Sequence, residues 1–355
     1  MISKLTYVDK PVFGLDIGRS SIKVMQIDQT VFPAAVVGYG NTVFDPSFVD
    51  KGVIKNFEGI AKETHELFSK LFVGTLDTHR VAFSIPNEYS FSRVLTLPNM
   101  SASEMQAAIM NEASRSIPVK IEDLYIDFML GSKLDNNIQE VQLVATPKDI
   151  VDSYVTLAQI LGLEVAVIET NISAVSRVVT HAEGREIITM IADFGSTAVD
   201  LSIYDSNTIR VTGTADCGSE SMTHLIATKL NVSNTQAHTI KTRYGLEPSK
   251  KQAEILNAIK PELDKLVAEI KKMIRYYEDR SSDDSQLGQI ILLGGGANLP
   301  GLSTYLTDQI RIPTRLCDPW QNITFGRLQQ PHTLETTIYT TAAGLSLVSE
   351  EELAQ

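Results

Sequence analysis

Two segments of this 355-residue chain repeat one pattern of residues. The first is FGLDIGRSSIKVMQI at 13–27, and the second is IADFGSTAVDLSIY at 191–204. Each begins with apolar residues, turns at Asp-x-Gly followed by small hydroxyl side chains, and continues as an alternating apolar strand. The apolar residues of the second strand follow Asp16 and Asp193 at the same offsets. The two segments therefore predict equivalent β-hairpins in two related halves of an α/β fold.

Hairpins of this kind are suited to holding a polyphosphate. A Gly-Ser or Ser-Thr tip exposes backbone N–H groups and hydroxyls that can surround a phosphate. An Asp at the strand end can reach the hydrated Mg²⁺ beside it, because Mg²⁺ keeps most of its waters and takes one or two carboxylates. For either hairpin alone, a plain turn is the alternative. The matching offsets favour a pair of hairpins that hold one nucleotide between two lobes.

Composition and charge exclude several classes of function. The chain is 43% hydrophobic and 21% charged, as in ordinary globular proteins, and its length allows two cores. The net charge of −12 argues against nucleic-acid binding, because a surface of this sign repels phosphates. No apolar run approaches the roughly 20 residues of a membrane span. The first residues, MISKLTYVDK, lack the apolar core of a signal peptide. We therefore expect a cytoplasmic protein without direct membrane insertion.

The cysteines and histidines do not indicate a metal centre. Cys217 and Cys317 lie far apart in the sequence, and none of the six histidines forms an H-x-x-x-H pair. Reduced thiols of an intracellular protein are the simplest interpretation of the two cysteines.

Residues 87–165 have the pattern of a separate α+β unit that interrupts the first half. A capping box of Ser101 and Glu104 predicts the start of its first helix, and Gly162 predicts the end of its second. The predicted strand, helix, hairpin and helix cover 91–97, 101–117, 125–145 and 147–162.

The second half carries an insertion of its own at 216–284. Its longest predicted helix covers 261–280, and 246–258 show no clear periodicity. We expect four structural units, namely a first lobe (11–86, 166–187 and 331–350), the first insert (87–165), a second lobe (188–215 and 285–330) and the second insert (216–284).

A third motif, IILLGGGANLPGL at 290–302, follows the two hairpins. An apolar strand that enters three glycines lets a flat ligand lie against bare backbone. By itself the motif also fits a simple strand–helix connection. It is neither a P-loop nor a G-x-G-x-x-G sequence. Its place after two phosphate-type hairpins makes it the candidate for the adenosine side of a nucleotide site.

In this order the three motifs resemble the superfamily of actin, the DnaK-type heat-shock chaperones and the sugar kinases. The segments VIETNISAVSRVV at 167–179 and TTIYTTAAGLSL at 336–347 resemble its two connecting helices. The resemblance spans nearly the whole chain. It implies an α/β, actin-like (ribonuclease H-like) duplicated fold of two lobes.

The position of the insert resembles the FtsA and PilM families within this superfamily. The opening FGLDIGRSSIKVMQI, the segment YVTLAQILGLEVAVIET and the segment EIKKMIRYYEDR are similar to the PilM family. The membrane-targeting amphipathic helix that ends FtsA proteins has no counterpart in SLVSEEELAQ. The resemblance implies an ATP-binding scaffold of the type IV pilus, or of a related secretion or DNA-uptake apparatus, at the inner membrane.

The resemblance also implies a set of site residues for ATP or ADP with Mg²⁺. Asp16 and Asp193 would hold the Mg²⁺ through water. Glu169 lies where relatives such as MreB can carry a group that orients water, and it can equally cap the helix that begins at Asn171. The residues implied to contact the nucleotide are Asp16, Gly18, Ser20, Ser21 and Lys23 in the first hairpin, Asp193, Gly195, Ser196 and Thr197 in the second, and Gly218, Ser219, Glu220, Lys241, Gly294, Gly295, Gly296 and Asn298 on the adenosine side.

The partner implied by the resemblance is a membrane protein. In PilM proteins the groove beside the insert receives the short cytoplasmic N-terminal peptide of the single-span protein PilN, and an exposed strand suits such capture. The acidic chain favours a basic peptide. Other platform proteins are implied as partners, and self-association and ATP hydrolysis are left open. Two alternative functions also stay open, a small-molecule kinase of the same superfamily and an FtsA-like filament-forming protein.

Overall fold

The computed structural model describes residues 10–134, 137–183, 187–205, 208–281 and 286–353. The strands, numbered along the chain, are β1 (Phe13–Ile17), β2 (Ser21–Asp28), β3 (Ala34–Val43), β4 (Val49–Asp50), β5 (Val53–Ile54), β6 (Val73–Gly74), β7 (Arg80–Ile85), β8 (Phe91–Pro98), β9 (Leu124–Leu134), β10 (Ile138–Pro147), β11 (Glu164–Thr170), β12 (Thr189–Phe194), β13 (Val199–Asp205), β14 (Thr208–Ala215), β15 (Gln289–Leu293), β16 (Thr314–Leu316) and β17 (Ile323–Thr324). The α-helices are α1 (Phe57–Glu66), α2 (Ala102–Ser116), α3 (Lys148–Leu161), α4 (Asn171–Glu183), α5 (Ser219–Leu230), α6 (Asn234–Tyr244), α7 (Gln252–Glu278), α8 (Leu302–Ile310), α9 (Thr340–Ser346) and α10 (Glu350–Leu353).

Two sheets share one connectivity. The first-lobe sheet has the order β11-β7-β1-β2-β3, with β17 beyond β3, and the second-lobe sheet has the order β16-β15-β12-β13-β14. In each, an antiparallel meander of three strands is extended by parallel strands on one side. The parallel strands β7 and β15 are apolar runs, as expected for strands that are covered on both faces. The structure thus confirms the predicted duplicated two-lobed α/β fold.

The inserted sheet has the order β8-β10-β9 and is covered on one face by α2. Alternating residues of β10, such as Val141 and Leu143, pack with Met105 and Ile109 of α2 into a core of their own. The predicted capping box is present, because the Ser101 N–H donates to Glu104 Oε2 at 2.9 Å. This α+β unit leaves β9 as an open edge of its sheet.

Helix α3 belongs to a different core from the inserted sheet. Its residues Tyr154 and Leu157 are buried with Phe13 and Phe83 of the first-lobe sheet. Phe83 meets Tyr154 edge to face, with ring centroids 5.6 Å apart. This packing favours a shorter insert, 91–147, than the predicted 87–165, because α3 is a layer of the first lobe.

Helix α7 begins nine residues before its predicted start at Pro261. The proline lies inside the helix, where it removes one backbone hydrogen bond. The residues before it, Ile255 and Ile259, continue the buried stripe of Leu263 and Leu266 into the second-lobe core. Burial of this stripe outweighs the local effect of the proline, so the predicted helix start was wrong.

Helices α4 and α9 lie between the two sheets. Val175 and Val179 of α4 pack with Ile191 and Ile291 of the second lobe. On its other side α4 meets α9 so closely that a Cβ at Gly344 would overlap with the carbonyl of Ala174. The small residues of the last predicted helix therefore permit close packing, as predicted. None of the helices within the described part of the chain is long and apolar enough to cross a bilayer.

Candidate functional site

A cavity of about 480 Å³ lies between the two lobes. The tips of both hairpins line it, together with the glycine turn that follows β15. Its size is typical of a small-molecule site. The predicted residues that line it are Asp16, Gly18, Ser20, Ser21, Lys23, Asp193, Gly195, Ser196, Thr197, Ser219, Gly294, Gly295 and Gly296.

Asp16 is held by both strands that flank β1. Lys23 lies opposite Asp16 in the β1–β2 register, and its Nζ donates to Asp16 Oδ2 at 3.1 Å. Ser84 lies opposite Asp16 in the β1–β7 register, and its Oγ donates to Asp16 Oδ1 at 2.7 Å. The carboxylate is therefore fixed in position at the mouth of the first hairpin.

Asp193 is one of a pair of carboxylates in the second lobe. Asn171, the first residue of α4, donates through Nδ2 to Asp200 Oδ2 at 3.0 Å and to Asp193 Oδ2 at 3.5 Å. Thr214 Oγ1 donates to Asp200 Oδ1 at 2.9 Å. Burial, and after it the charges of Asp200 and Asp16, raise the pKa of Asp193 to about 7. The charges of Asp200 and Asp16 thus disfavour ionisation of Asp193, and a cation beside Asp193 would have the opposite effect.

The donor set fits a water-mediated magnesium ion. Among the described residues, no three His, Cys, Asp or Glu side chains come together as a metal-binding group. Mg²⁺ usually keeps several waters and combines one or two carboxylates with phosphate oxygens. Asp16 and Asp193 are the residues that would face such an ion, and the ion would supply charge to neutralise phosphate oxygens.

The glycine turn presents bare backbone to the cavity. Gly294 has φ +79°, and a Cβ there would meet the carboxylate of Asp193. A Cβ at Gly296 would lie 3.0 Å from the Phe194 ring. A second cavity, of about 50 Å³, adjoins this turn and is lined by Ser219, Lys241, Asn298 and neighbouring residues. Together the turn and the small cavity can accommodate a flat ring.

Lys241 fixes Ser219 through its ammonium group. Its Nζ donates to Ser219 O and Ser219 Oγ, both at 2.6 Å, and to Thr223 Oγ1 at 2.8 Å. Burial lowers the pKa of Lys241 to about 8. These bonds use all three ammonium hydrogens, so Lys241 links α6 to α5. Only the aliphatic part of its side chain remains available to pack against a nucleotide base.

Asn298 also connects two elements. Its Nδ2 donates to Leu334 O at 2.8 Å and to Thr337 Oγ1 at 2.9 Å, and Thr337 Oγ1 donates to Gly294 O at 3.0 Å. Asn298 therefore holds the glycine turn against the segment that leads into α9.

Five predicted residues lie outside the lining of the large cavity: Lys241 and Asn298 line the small cavity, whereas Glu169, Gly218 and Glu220 line neither. Glu169 forms a bidentate ion pair with Arg177, at 2.8 and 3.0 Å, and lies outside the cavity lining. Glu220 is exposed, and its N–H donates to Ser196 O at 2.8 Å. Gly218 is buried against the backbone of the second hairpin. Gly218 and Glu220 therefore contact the second hairpin without lining the cavity.

Several residues that line the large cavity were not predicted from the sequence. They are Arg19, Ser84, Glu88, Asn171, Asp200 and Thr337. Asp200 alternates with the apolar residues of β13, so its strand position was a usable signal. Glu88 follows β7 in a turn, and burial together with the charge of Asp200 raises its pKa. Nothing local marked Glu88 as a residue of the site.

A duplicated two-lobed fold whose hairpins and glycine turn enclose one polar cavity defines the class of actin-like proteins. A family model described as "Type IV pilus assembly protein PilM" matches residues 14–350. The chain therefore belongs to the PilM family of type IV pilus assembly proteins, which confirms the resemblance read from the sequence. No curated protein matches this chain.

Solved structures share the fold. One described as "PilM-PilN type IV pilus biogenesis complex" is 22% identical, with a TM-score of 0.83 over 95% of this chain and 98% of that chain. The ethanolamine utilization protein EutJ from Carboxydothermus hydrogenoformans is 14% identical, with a TM-score of 0.57 over 94% and 88%. MreB 5 of Spiroplasma citri bound to AMPPNP is 13% identical, with a TM-score of 0.53 over 95% of both chains. At these identities the likeness shows the actin-like fold.

Proposed function

We propose that this member of the PilM family is an ATP-binding scaffold of the inner-membrane platform that assembles type IV pili or a related apparatus. ATP or ADP with Mg²⁺ occupies the cavity between the lobes. The observation that carries this proposal is that both hairpins, with Asp16 and Asp193, line one cavity of about 480 Å³.

Each wall of the cavity takes one part of the nucleotide. The hairpin tips, with Ser20, Ser21, Ser196 and Thr197, donate hydrogen bonds to phosphate oxygens. Asp16 and Asp193 orient waters of the Mg²⁺. The glycine turn and the small cavity beside Lys241 receive the adenosine. AMPPNP in the structure of Spiroplasma citri MreB 5 supports a nucleotide in this fold.

Binding rather than rapid turnover is the proposed use of ATP. Hydrolysis needs a group that orients water at the γ-phosphate. Glu169 is engaged by Arg177, and Arg177 is also bound to Glu352 at 2.7 Å. A carboxylate held in this way is poorly placed to serve the cavity. We expect at most slow ATP hydrolysis.

The proposed partner is the cytoplasmic N-terminal peptide of a PilN-like single-span membrane protein. Strand β9 is an edge of the inserted sheet and can accept a further strand. Tyr125, Met129 and Leu130 of β9 are exposed, and the Tyr125 hydroxyl donates to Asp152 Oδ1 of α3 at 3.0 Å. Acidic side chains at Asp127 and in the rest of the chain, with its net charge of −12, favour a basic peptide. The chain would then lie at the inner membrane through this partner.

The nucleotide site is tested by ATP binding to the purified full chain. We expect Asp193→Ala to weaken Mg²⁺–ATP binding at least about 10-fold, because it removes a carboxylate beside the metal. Isothermal titration calorimetry measures the affinity. Asp127→Ala, an exposed carboxylate on β9, is the matched control and keeps the wild-type affinity. Unchanged affinity in Asp193→Ala would contradict the site.

The partner site is tested with a synthetic peptide of the PilN N-terminal segment encoded with this chain. We expect Tyr125→Ala and Met129→Ala each to weaken binding by several-fold to 10-fold, because each removes an exposed apolar contact beside the strand edge. Fluorescence anisotropy of the labelled peptide measures this. Ile187→Ala, which is also exposed but lies outside the insert, just before β12, is the control. Equal loss in all three variants would argue against the β9 edge.

A further inference from the structure

One ion pair joins the inserted sheet to the second lobe. Arg210 of β14 donates through Nη1 to Glu140 Oε1 of β10. The two side chains are 20% and 8% exposed, so the pair is largely removed from solvent. Residues of β8 also approach β14, and the two sheets therefore meet beside this pair.

Both residues lie where the pairing of their strands is irregular. The β13–β14 register slips by one residue at Arg210, which has no cross-strand partner there. In the β9–β10 pair, two residues of β9, Gly131 and Ser132, lie opposite Glu140 alone, so the extra residue of that bulge is in β9. A bulge re-aims the side chain that it carries. The side chain at the bulge of β14 thus meets a side chain that lies opposite the bulge of β9, which indicates a built contact between the two sheets.

Strand β14 connects this pair to the wall of the nucleotide cavity. Thr214, four residues after Arg210, donates to Asp200 at 2.9 Å, and Asp200 lines the cavity. Arg210 and Thr214 lie four residues, about 13 Å, apart along β14. On the other side, Glu140 lies in β10, which pairs with the open edge strand β9. One rigid strand on each side thus links the cavity to β9.

The pair is incompletely satisfied by hydrogen bonds. Among the described residues, Glu140 Oε2 and Arg210 Nε are buried without a hydrogen-bond partner. Arg210 Nε lies 3.6 Å from Asp205 Oδ2, and Asp205 accepts a hydrogen bond from Tyr277 at 2.9 Å. A buried pair with unfilled hydrogen bonds adds little net stability, and it depends strongly on geometry. It is therefore sensitive to small shifts of β14.

We propose that the Arg210–Glu140 pair is a latch that transmits closure of the cavity around a nucleotide to the β9 edge of the insert. The inference rests on the proposed nucleotide site. When a nucleotide draws the second hairpin inward, β14 moves with β13, and Arg210 sets the position of β10. The β9 edge then differs between the nucleotide-bound and nucleotide-free states, and so does its affinity for a partner peptide.

Hydrogen exchange of the full chain, with and without Mg²⁺ and AMPPNP, tests the latch. In the wild type we expect slower exchange at 13–28 and 189–205, and about 5-fold slower exchange at β9. The double variant Glu140→Ala/Arg210→Ala leaves neither charge buried alone. In this variant we expect the nucleotide to slow exchange at both hairpins and to leave exchange at β9 unchanged. The control Glu112→Ala removes an ion pair within the insert, to Arg93 at 3.6 Å, and keeps the slower exchange at β9.

The outcomes separate the latch from the nucleotide site. The latch is overturned if the nucleotide slows exchange at both hairpins but does not slow exchange at β9 in the wild type. It is also overturned if exchange at β9 slows equally in the double variant. If the nucleotide does not slow exchange at the hairpins of the wild type, the proposed nucleotide site is overturned, and the latch with it. If the double variant does not fold, Arg210→Lys keeps the charge without the guanidinium. A full β9 response in Arg210→Lys would overturn the latch, and a response reduced at least 2-fold supports it.

Discussion

At the scale of single residues, the repeated hairpin motif made the positions of the two cavity-lining aspartates Asp16 and Asp193 predictable. Asp16 and Asp193 were found because each belongs to a motif that occurs twice. Asn171 and Ser84 were missed because they reach these carboxylates from neighbouring elements, and no local pattern marks them. Which polar residue of a strand faces a cavity depends on tertiary packing, which one sequence does not reveal. Lys241 shows the same limit, since its position was predicted and its three hydrogen-bond partners were not.

Asp193 predicts a pH dependence of stability in the nucleotide-free protein. Its pKa is raised from the ordinary 3.8 to about 7, so the folded state keeps a proton that the unfolded chain releases. Stability should therefore fall as the pH rises from about 4 to 7. We expect Asp193→Asn to raise the free energy of unfolding by about 1 kcal/mol at pH 8. Urea unfolding at pH 5 and pH 8 measures it.

The control for this prediction is Asp127→Asn, an exposed carboxylate on β9 whose substitution should leave both values unchanged. Equal stability of wild type and Asp193→Asn at pH 8 would show that Asp193 is ionised at little cost in the folded protein.

At the scale of elements, periodicity and capping predicted most helices and strands. Burial at a distance explains both the early start of α7 and the packing of α3 outside the core of the insert. Proline is favoured in the first turn of a helix, yet α7 extends past Pro261 because residues on both sides share one core. Helix α3 follows the inserted sheet in sequence, yet its apolar stripe packs on the first lobe. A local pattern shows that a stripe exists and does not show which sheet will cover it.

Gly344 in α9 predicts a large loss of stability from a small substitution. In Gly344→Ala the new methyl group would overlap with the backbone of Ala174, which cannot move aside. We expect a loss of about 3 kcal/mol in the free energy of unfolding, measured by urea denaturation. Gly162→Ala is the matched control. It has φ +67° with no atom near its Cβ, and should lose about 1 kcal/mol through backbone strain alone. Losses of equal size would argue against close α4–α9 packing.

At the scale of the whole molecule, the duplicated hairpins were enough to predict two lobes of the same connectivity. The packing of the insert against the second lobe was not predictable, because it depends on contacts such as Arg210–Glu140 between residues 70 positions apart in sequence. The family assignment gives the chain its setting in pilus assembly. The cavity between the lobes is where the proposed nucleotide would act on the relative position of the lobes.

A nucleotide that contacts both lobes should stabilise them together. We expect Mg²⁺–ATP at 100 times its dissociation constant to raise the free energy of unfolding by about 2.7 kcal/mol. Thermal unfolding followed by circular dichroism should show one transition shifted upward. Asp193→Ala should gain about 1.4 kcal/mol or less at the same ATP concentration, because its affinity is at least about 10-fold weaker. A shift confined to one of two separate transitions would contradict a ligand shared between the lobes.

The crossing of α4 and α9 also determines how easily the two halves can rotate. Val175 and Val179 attach α4 to the second lobe, while Ala174 meets Gly344 backbone to backbone. Arg177 of α4 also donates through Nη1 to Gly344 O at 2.6 Å, so the crossing is held by backbone contact and by one long side chain. The α4–α9 crossing lies between the two sheets, and the Arg210–Glu140 pair lies farther out, between the insert and the second lobe. A rotation of a few degrees at the crossing would therefore displace the residues of the pair by ångströms.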